Sequence, residues 1–209
     1  MKRIAFMALA ATTLFLTSCS KKSKTDPQPT DQVTISGTAY ATVKIGTQTW
    51  TAVNHNGAGG VNYNGSITND ATSGKLYTIA EAKAIVLPSG WRLPTAADFT
   101  KLYTSQGSDA KKLMAKTSWA INKGTNSSGF NALAVGYFEI NSTPTYQGKG
   151  TDAVFITSSL LEGYNGIPAC FAVGFDDDTV NDNTTISGVL SDYIVAASDK
   201  GSIRFVRDN

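Results

Sequence analysis

Cysteine, histidine and charge are all scarce in this chain. Of two cysteines, Cys19 is the expected lipid attachment site and Cys170 is left as a lone thiol, so no intrachain disulfide is expected, and a single histidine, His55, excludes any centre built on paired imidazoles. Only 16% of the 209 residues are charged, and the formal net charge of +2 falls to zero without Lys2 and Arg3. Such a balance leaves no basic face of the kind nucleic acid requires. Long apolar runs are missing too: the stretch from Ile4 to Leu16 falls short of the ~20 residues that span a bilayer comfortably. No serine sits in a nucleophile elbow, and no glycine-rich loop opens a helix in a phosphate-binding pattern. What the chain has instead is 19 glycines among many Asn, Thr and Ser, with 41% hydrophobic residues, which suits one loop-rich exported domain with a core of its own.

The amino end carries an export pattern. Lys2-Arg3 followed by the apolar Ile4 to Leu16 reads as the basic and hydrophobic parts of a secretory signal. It closes on Leu16-Thr17-Ser18-Cys19, which resembles the bacterial lipobox and makes Cys19 the expected lipidation site. Each buried methylene adds about 0.8 kcal/mol of membrane affinity, so two or three acyl chains anchor a protein stably. Ser20 to Asp31 has nothing to bury and is expected to be a disordered tether. The division expected is residues 1–18 as lipoprotein signal peptide, 19–32 as tether and 33–209 as the folded domain.

From Val33 onward the chain alternates like a strand. Tyr40 to Ile45, Gly46-Thr47 and Gln48 to Asn54 predict a hairpin, and the Gly- and Asn-rich His55 to Ser73 predicts an exposed loop. Thr78-Ile79-Ala80-Glu81 is a capping box opening a helix to about Val86. In Pro88-Ser89-Gly90-Trp91-Arg92-Leu93-Pro94-Thr95 a turn, an indole anchor and a second cap follow in eight residues. Phe99, Leu102 and Tyr103 give the helix after Thr95 one apolar stripe, and a third short helix is predicted from Asp109 to Ala115. Strands are predicted around 130–137, 153–158, 169–175 and 202–207. Helices early and strands late predict an α+β fold.

Several blocks together resemble one bacterial family, the Fibrobacter succinogenes major paralogous domain. They are Val43-Lys44-Ile45-Gly46-Thr47-Gln48-Thr49-Trp50 with Asn54, Gly74-Lys75-Leu76-Tyr77, the Trp91 segment with Asp98 and Phe99, Ser127 to Leu133 with Gly136-Tyr137, and Ser202 to Asp208. The resemblance implies a C-type lectin-like fold: a twisted antiparallel sheet with two to three short helices and long loops, whose opening and closing strands pair. It implies no settled activity. Leu87 and Phe205 stand where the family commonly has cysteines. If those cysteines form a bridge, Leu87 and Phe205 are expected to pack together in its place.

Candidate site residues are few. His55, at the mouth of the Gly/Asn loop, is expected to be exposed, and alone it is weak evidence for metal or general-base work. A concave pocket joining it to a carboxylate would revive an enzymatic reading. Asp176, Asp178, Asn181 and Asp182 gather oxygen ligands that could hold calcium, without EF-hand spacing or the signatures of sugar-binding C-type lectins. A solvated acidic turn is the plainer reading, and no other cofactor is expected. Tyr63, Tyr146 and Tyr164, flanked by turn residues, could stack on a sugar or contact a protein. Cys170, alternating with Phe171, Val173 and Phe175, reads as a small buried thiol. The expectation is a non-catalytic envelope lipoprotein, anchored to the bacterial outer membrane through Cys19, whose loops bind a glycan or protein. The alternative is a structural or assembly component of the cell surface; an enzyme comes last, for want of a convergent acid, base and nucleophile.

Overall fold

The computed structural model describes residues 31–65, 72–121, 124–140, 143–161, 167–174 and 196–209. The expected hairpin is present: β2, Thr38–Ile45, pairs antiparallel with β3, Gln48–Thr51, across Gly46 at φ +59°. A strand before it, β1 (Asp31–Ile35), pairs with β2 and begins two residues inside the stretch assigned to the tether. On the other side β3 pairs with β8, Val206–Asp208, so that Trp50 faces Val206. Residues 43–52 and 202–207 therefore lie side by side, as expected, in a sheet ordered β1-β2-β3-β8.

Local sequence also accounts for the helices. Thr78 and Glu81 cap α1 (Ile79–Lys83) reciprocally, and Thr95 and Asp98 do the same for α2 (Ala96–Ser105). Asp109 caps the short α3, Ala110–Leu113. The first helix stops at Lys83 and not near Val86, which is left 80% exposed. Between α1 and α2, the Trp91 amide donates to the Pro88 carbonyl at 3.1 Å while Gly90 takes φ +80°. Trp91 is buried there, and the Arg207 guanidinium lies 5.4 Å from its ring.

The remaining strands form a second sheet, where one antiparallel sheet was expected. β4 (Val135–Glu139), β5 (Thr145–Lys149), β6 (Asp152–Leu160) and β7 (Pro168–Gly174) run in the order β5-β4-β6-β7. Strand β5 had no clear apolar alternation to predict it. The chain doubles back through β5 and returns along the other edge of β4, so β4 and β6 meet parallel at Gly136 and Ala153. Gly136 is required at this crossing: its φ is +72°, and a Cβ would lie 2.0 Å from the Gln147 carbonyl oxygen. The architecture is α+β.

Alternation on β6 and β7 feeds two cores. Ala153, Phe155, Phe171 and Val173 face one, with Trp50, Phe99 and Phe130. Val154, Ile156, Cys170 and Ala172 face the other, with Tyr77, Trp91, Ile203 and Phe205. Phe99 stacks on Phe171 at 4.6 Å and meets Trp50 at 5.0 Å, pairs that contribute roughly 0.5–1.5 kcal/mol each beyond area burial. Leu87 packs against the cluster that also holds Phe205. Cys170 is the buried thiol expected of it, its pKa pushed up by burial to about 12.

The segment 200–206 joins the two sheets. Lys200 exchanges backbone hydrogen bonds with Phe138, Gly201 with Tyr77, and Val206 with Arg92, while Ser202 bonds to both Val154 and Ile156. Ile203 accepts from the His55 amide and Phe205 from the Thr51 amide. At its centre Arg204 is wholly buried. Its Nε donates to Asn54 Oδ1 at 2.6 Å, Nη1 to the Thr51 and Phe130 carbonyls at 2.8 and 2.9 Å, and Nη2 to the Asn131 carbonyl at 3.0 Å. The Phe130 ring lies 4.8 Å from the guanidinium.

Candidate functional site

The structure corrects the placement of His55. It is 2% exposed and not on the surface. Its backbone is held on both sides, the amide donating to Ile203 and the carbonyl accepting from Lys75, each at 3.0 Å. Its ring lies 5.3 Å from Tyr40 and 5.2 Å from both Tyr77 and Phe205. Burial, and then the charge of Lys75, push its pKa down to about 4, so the imidazole is neutral at neutral pH. The turn that follows, expected to be part of an exposed loop, is pinned by side chains. The Tyr77 hydroxyl donates to the Gly57 carbonyl at 3.1 Å, and Lys75 Nζ to the Gly57 and Gly59 carbonyls at 2.9 and 3.2 Å. Tyr40 donates to Asn56 Oδ1 at 3.0 Å, and Val61 bridges to Leu76.

Beside His55 opens a groove of about 330 Å³, lined also by Ser36, Ala58, Gly59, Glu81 and, just past α1, Ala84, Ile85 and Val86. It joins an imidazole to a carboxylate, the feature that would revive an enzymatic reading. The Glu81 carboxylate, however, is held by the fold chiefly through Oε2, which accepts from Thr78 N at 2.8 Å and Lys200 Nζ at 2.7 Å, while Oε1 accepts from Gly60 N at 3.3 Å. Burial raises the Glu81 pKa, but the bonds from Lys200 and Thr78 outweigh it and hold the group below the usual range. No hydrogen bond links Ser36, His55 and Glu81 among the described residues, so no relay is assembled.

Two of the candidate tyrosines do come together. Tyr63, in a one-turn 3₁₀ helix over Tyr63–Gly65, lies 5.0 Å from Tyr146. Tyr146 is not at a turn but in β5, opposite Phe138 of β4, with the two rings 4.5 Å apart. Lys149 Nζ lies 5.1 Å from the Tyr63 ring centre. All three rings are half-buried at the margin of the first core, forming a shelf whose inner edge is packed and whose outer edge meets water. Burial, partly opposed by the Lys149 backbone, raises the Tyr63 pKa, so this phenol is neutral and can donate or accept. Phe138 and Lys149 were not among the candidates, because only strand register reveals them.

Cys19, Tyr164, Asp176, Asp178, Asn181 and Asp182 lie outside the described residues. Among the described residues no group of three or more His, Cys, Asp or Glu side chains could hold a metal ion, and no helix is long and apolar enough to cross a membrane. Comparison with known proteins gives one family match: the model of the Fibrobacter succinogenes major domain covers residues 43–207. No curated protein and no solved structure matches the chain.

Proposed function

The chain belongs to the Fibrobacter succinogenes major domain family, and from that membership and the aromatic shelf we propose a non-catalytic glycan-binding lipoprotein of the bacterial cell envelope. Its domain is C-type lectin-like, a reading supported by the pairing of β3 with β8 and by short helices packed on a curled antiparallel sheet. Fold likeness describes shape alone, and the binding argument rests on the site. The observation that carries it is the meeting of Tyr63, Tyr146 and Phe138, three rings from two distant parts of the chain, with exposed amide and ammonium groups around them. Flat aromatic faces suit the C–H face of a sugar ring, while the exposed Asn64 and Lys149 can reach its hydroxyls.

A glycan array probed with the detergent-solubilised protein tests this reading. One or a few glycans are expected to bind, and Tyr63→Ala and Tyr146→Ala each to weaken them about tenfold, the loss of roughly one ring contact. An array that stays blank, alongside a pull-down that returns a protein, would overturn the glycan reading in favour of protein recognition.

Attachment to the outer membrane through lipidated Cys19 belongs to the same proposal and rests on Leu16 to Cys19. Cys19→Ala is expected to block processing or move the protein to the soluble fraction. Unchanged membrane retention of that variant would refute the anchor.

A further inference from the structure

We propose that the groove beside His55 is a second carbohydrate subsite, one that recognises a vicinal diol; this rests on the glycan reading above but on different residues. The argument begins from an unmet hydrogen bond. His55 Nδ1 is sealed inside the protein with no partner, whereas Nε2, also without one among the described residues, keeps access to the groove. A neutral imidazole has one N–H and one lone pair. An orphaned buried donor is costlier to leave than an orphaned acceptor, which assigns the lone pair to Nδ1 and the proton to Nε2. The Nε2–H therefore offers a donor to whatever enters the groove.

Gly57 keeps that edge of the ring clear. A Cβ at residue 57 would stand 2.7 Å from both Cε1 and Nε2 of His55. In the same lining, Glu81 Oε1 has only the long 3.3 Å contact from Gly60 and retains accepting capacity. A donor and an acceptor in one lining fit two neighbouring hydroxyls, one accepting from Nε2–H and the other donating to Glu81. The rest of the lining is aliphatic: Ala84, Ile85 and Val86 present methyl groups, with Val86 80% exposed. Methyl groups suit the C–H side of a sugar ring. Lys200 neutralises Glu81, so nothing in the lining calls for a charged ligand. The groove also lies close to the shelf in chain terms, since Gly59 and Tyr63 are four residues apart and so within about 14 Å. A single oligosaccharide could touch both.

His55 is the only histidine in the sequence, so its two imidazole nitrogens give unambiguous NMR signals. The full-length lipoprotein in detergent micelles would be titrated with N-acetylglucosamine, galactose, glucose and mannose, with 1-propanol as a control that lacks a diol. At least one sugar is expected to shift the Nε2 signal saturably while 1-propanol does not. Gly57→Ala should abolish the shift, and Tyr146→Ala should leave it in place. Should Gly57→Ala disturb the fold, Val86→Asp at the exposed rim is expected to weaken the same titration about threefold or more. An Nε2 signal that no sugar moves, while the Tyr146 ring responds to one, would overturn the subsite and leave the shelf standing. A site holding water only would give that result. Silence at both positions would overturn subsite and shelf together.

Discussion

Replacing Arg204 by alanine is expected to cost about 4 kcal/mol of stability, a large share of the roughly 5–15 kcal/mol that holds a domain folded. The guanidinium gains nothing from burial itself, which pulls its pKa down to about 9, though it is still charged at neutral pH. Its value is geometric. Four acceptors, Asn54 Oδ1 and the carbonyls of Thr51, Phe130 and Asn131, converge on its three nitrogens. Truncation strands them in the interior at roughly 1–3 kcal/mol each, softened by relaxation, and leaves a cavity between the cores. Lysine should recover less than half of the loss, because one ammonium cannot point in the directions of a planar fork. Urea unfolding of the three proteins measures this, and a loss under about 1 kcal/mol for Arg204→Ala would show that the acceptors find other partners.

Asp98→Ala is expected to cost about 3 kcal/mol and to remove part of the acid sensitivity of the fold. The Asp98 carboxylate is buried and accepts from Thr95 N, Thr95 Oγ1 and Gln48 Nε2 at 2.8, 2.7 and 2.8 Å. It also takes a two-pronged ion pair from Arg92, which reaches on to Asp208 at 2.8 Å. Burial alone would raise its pKa, but the bonds from Arg92 and Thr95 prevail and hold it at about 2. Because the folded value lies below the unfolded ~3.9, the stabilisation is complete above about pH 4 and disappears as pH falls toward 2. It amounts to about 2 kcal/mol, and loss of the cap and of the Gln48 bond accounts for the rest. Stability measured from pH 7 to pH 2 should fall less steeply in Asp98→Asn than in the native protein. Some slope will persist through Glu81 and Asp208, which Lys200 and Arg92 also hold below the usual range. Parallel profiles would show that Asp98 does not titrate with unfolding.

What could be read in advance was whatever a few neighbouring residues decide. Thr78 with Glu81 and Thr95 with Asp98 cap their helices through contacts three residues apart, and both pairs are visible in the letters. Cys170 was legible because alternation along one strand sets its burial. His55 was not: its burial depends on Phe205 and Tyr77, and the Gly-rich run after it reads as loose although side chains from elsewhere hold it. Tyr63 and Tyr146 could be named singly, but their meeting depends on where β5 lies, and β5, as Thr-Tyr-Gln-Gly-Lys, offers no strand signal. Arg204 is hidden for the same reason. Nothing beside it in sequence shows that acceptors from residues 51, 54, 130 and 131 surround it.

The joining role of residues 200–206 bears on when the molecule can become itself. Their partners at Thr51 and Asn54 lie about 150 positions earlier, so the hydrogen bonds this stretch makes close very long loops. Contacts of that separation come late in folding, because a long loop must be closed before they reward the entropy it loses.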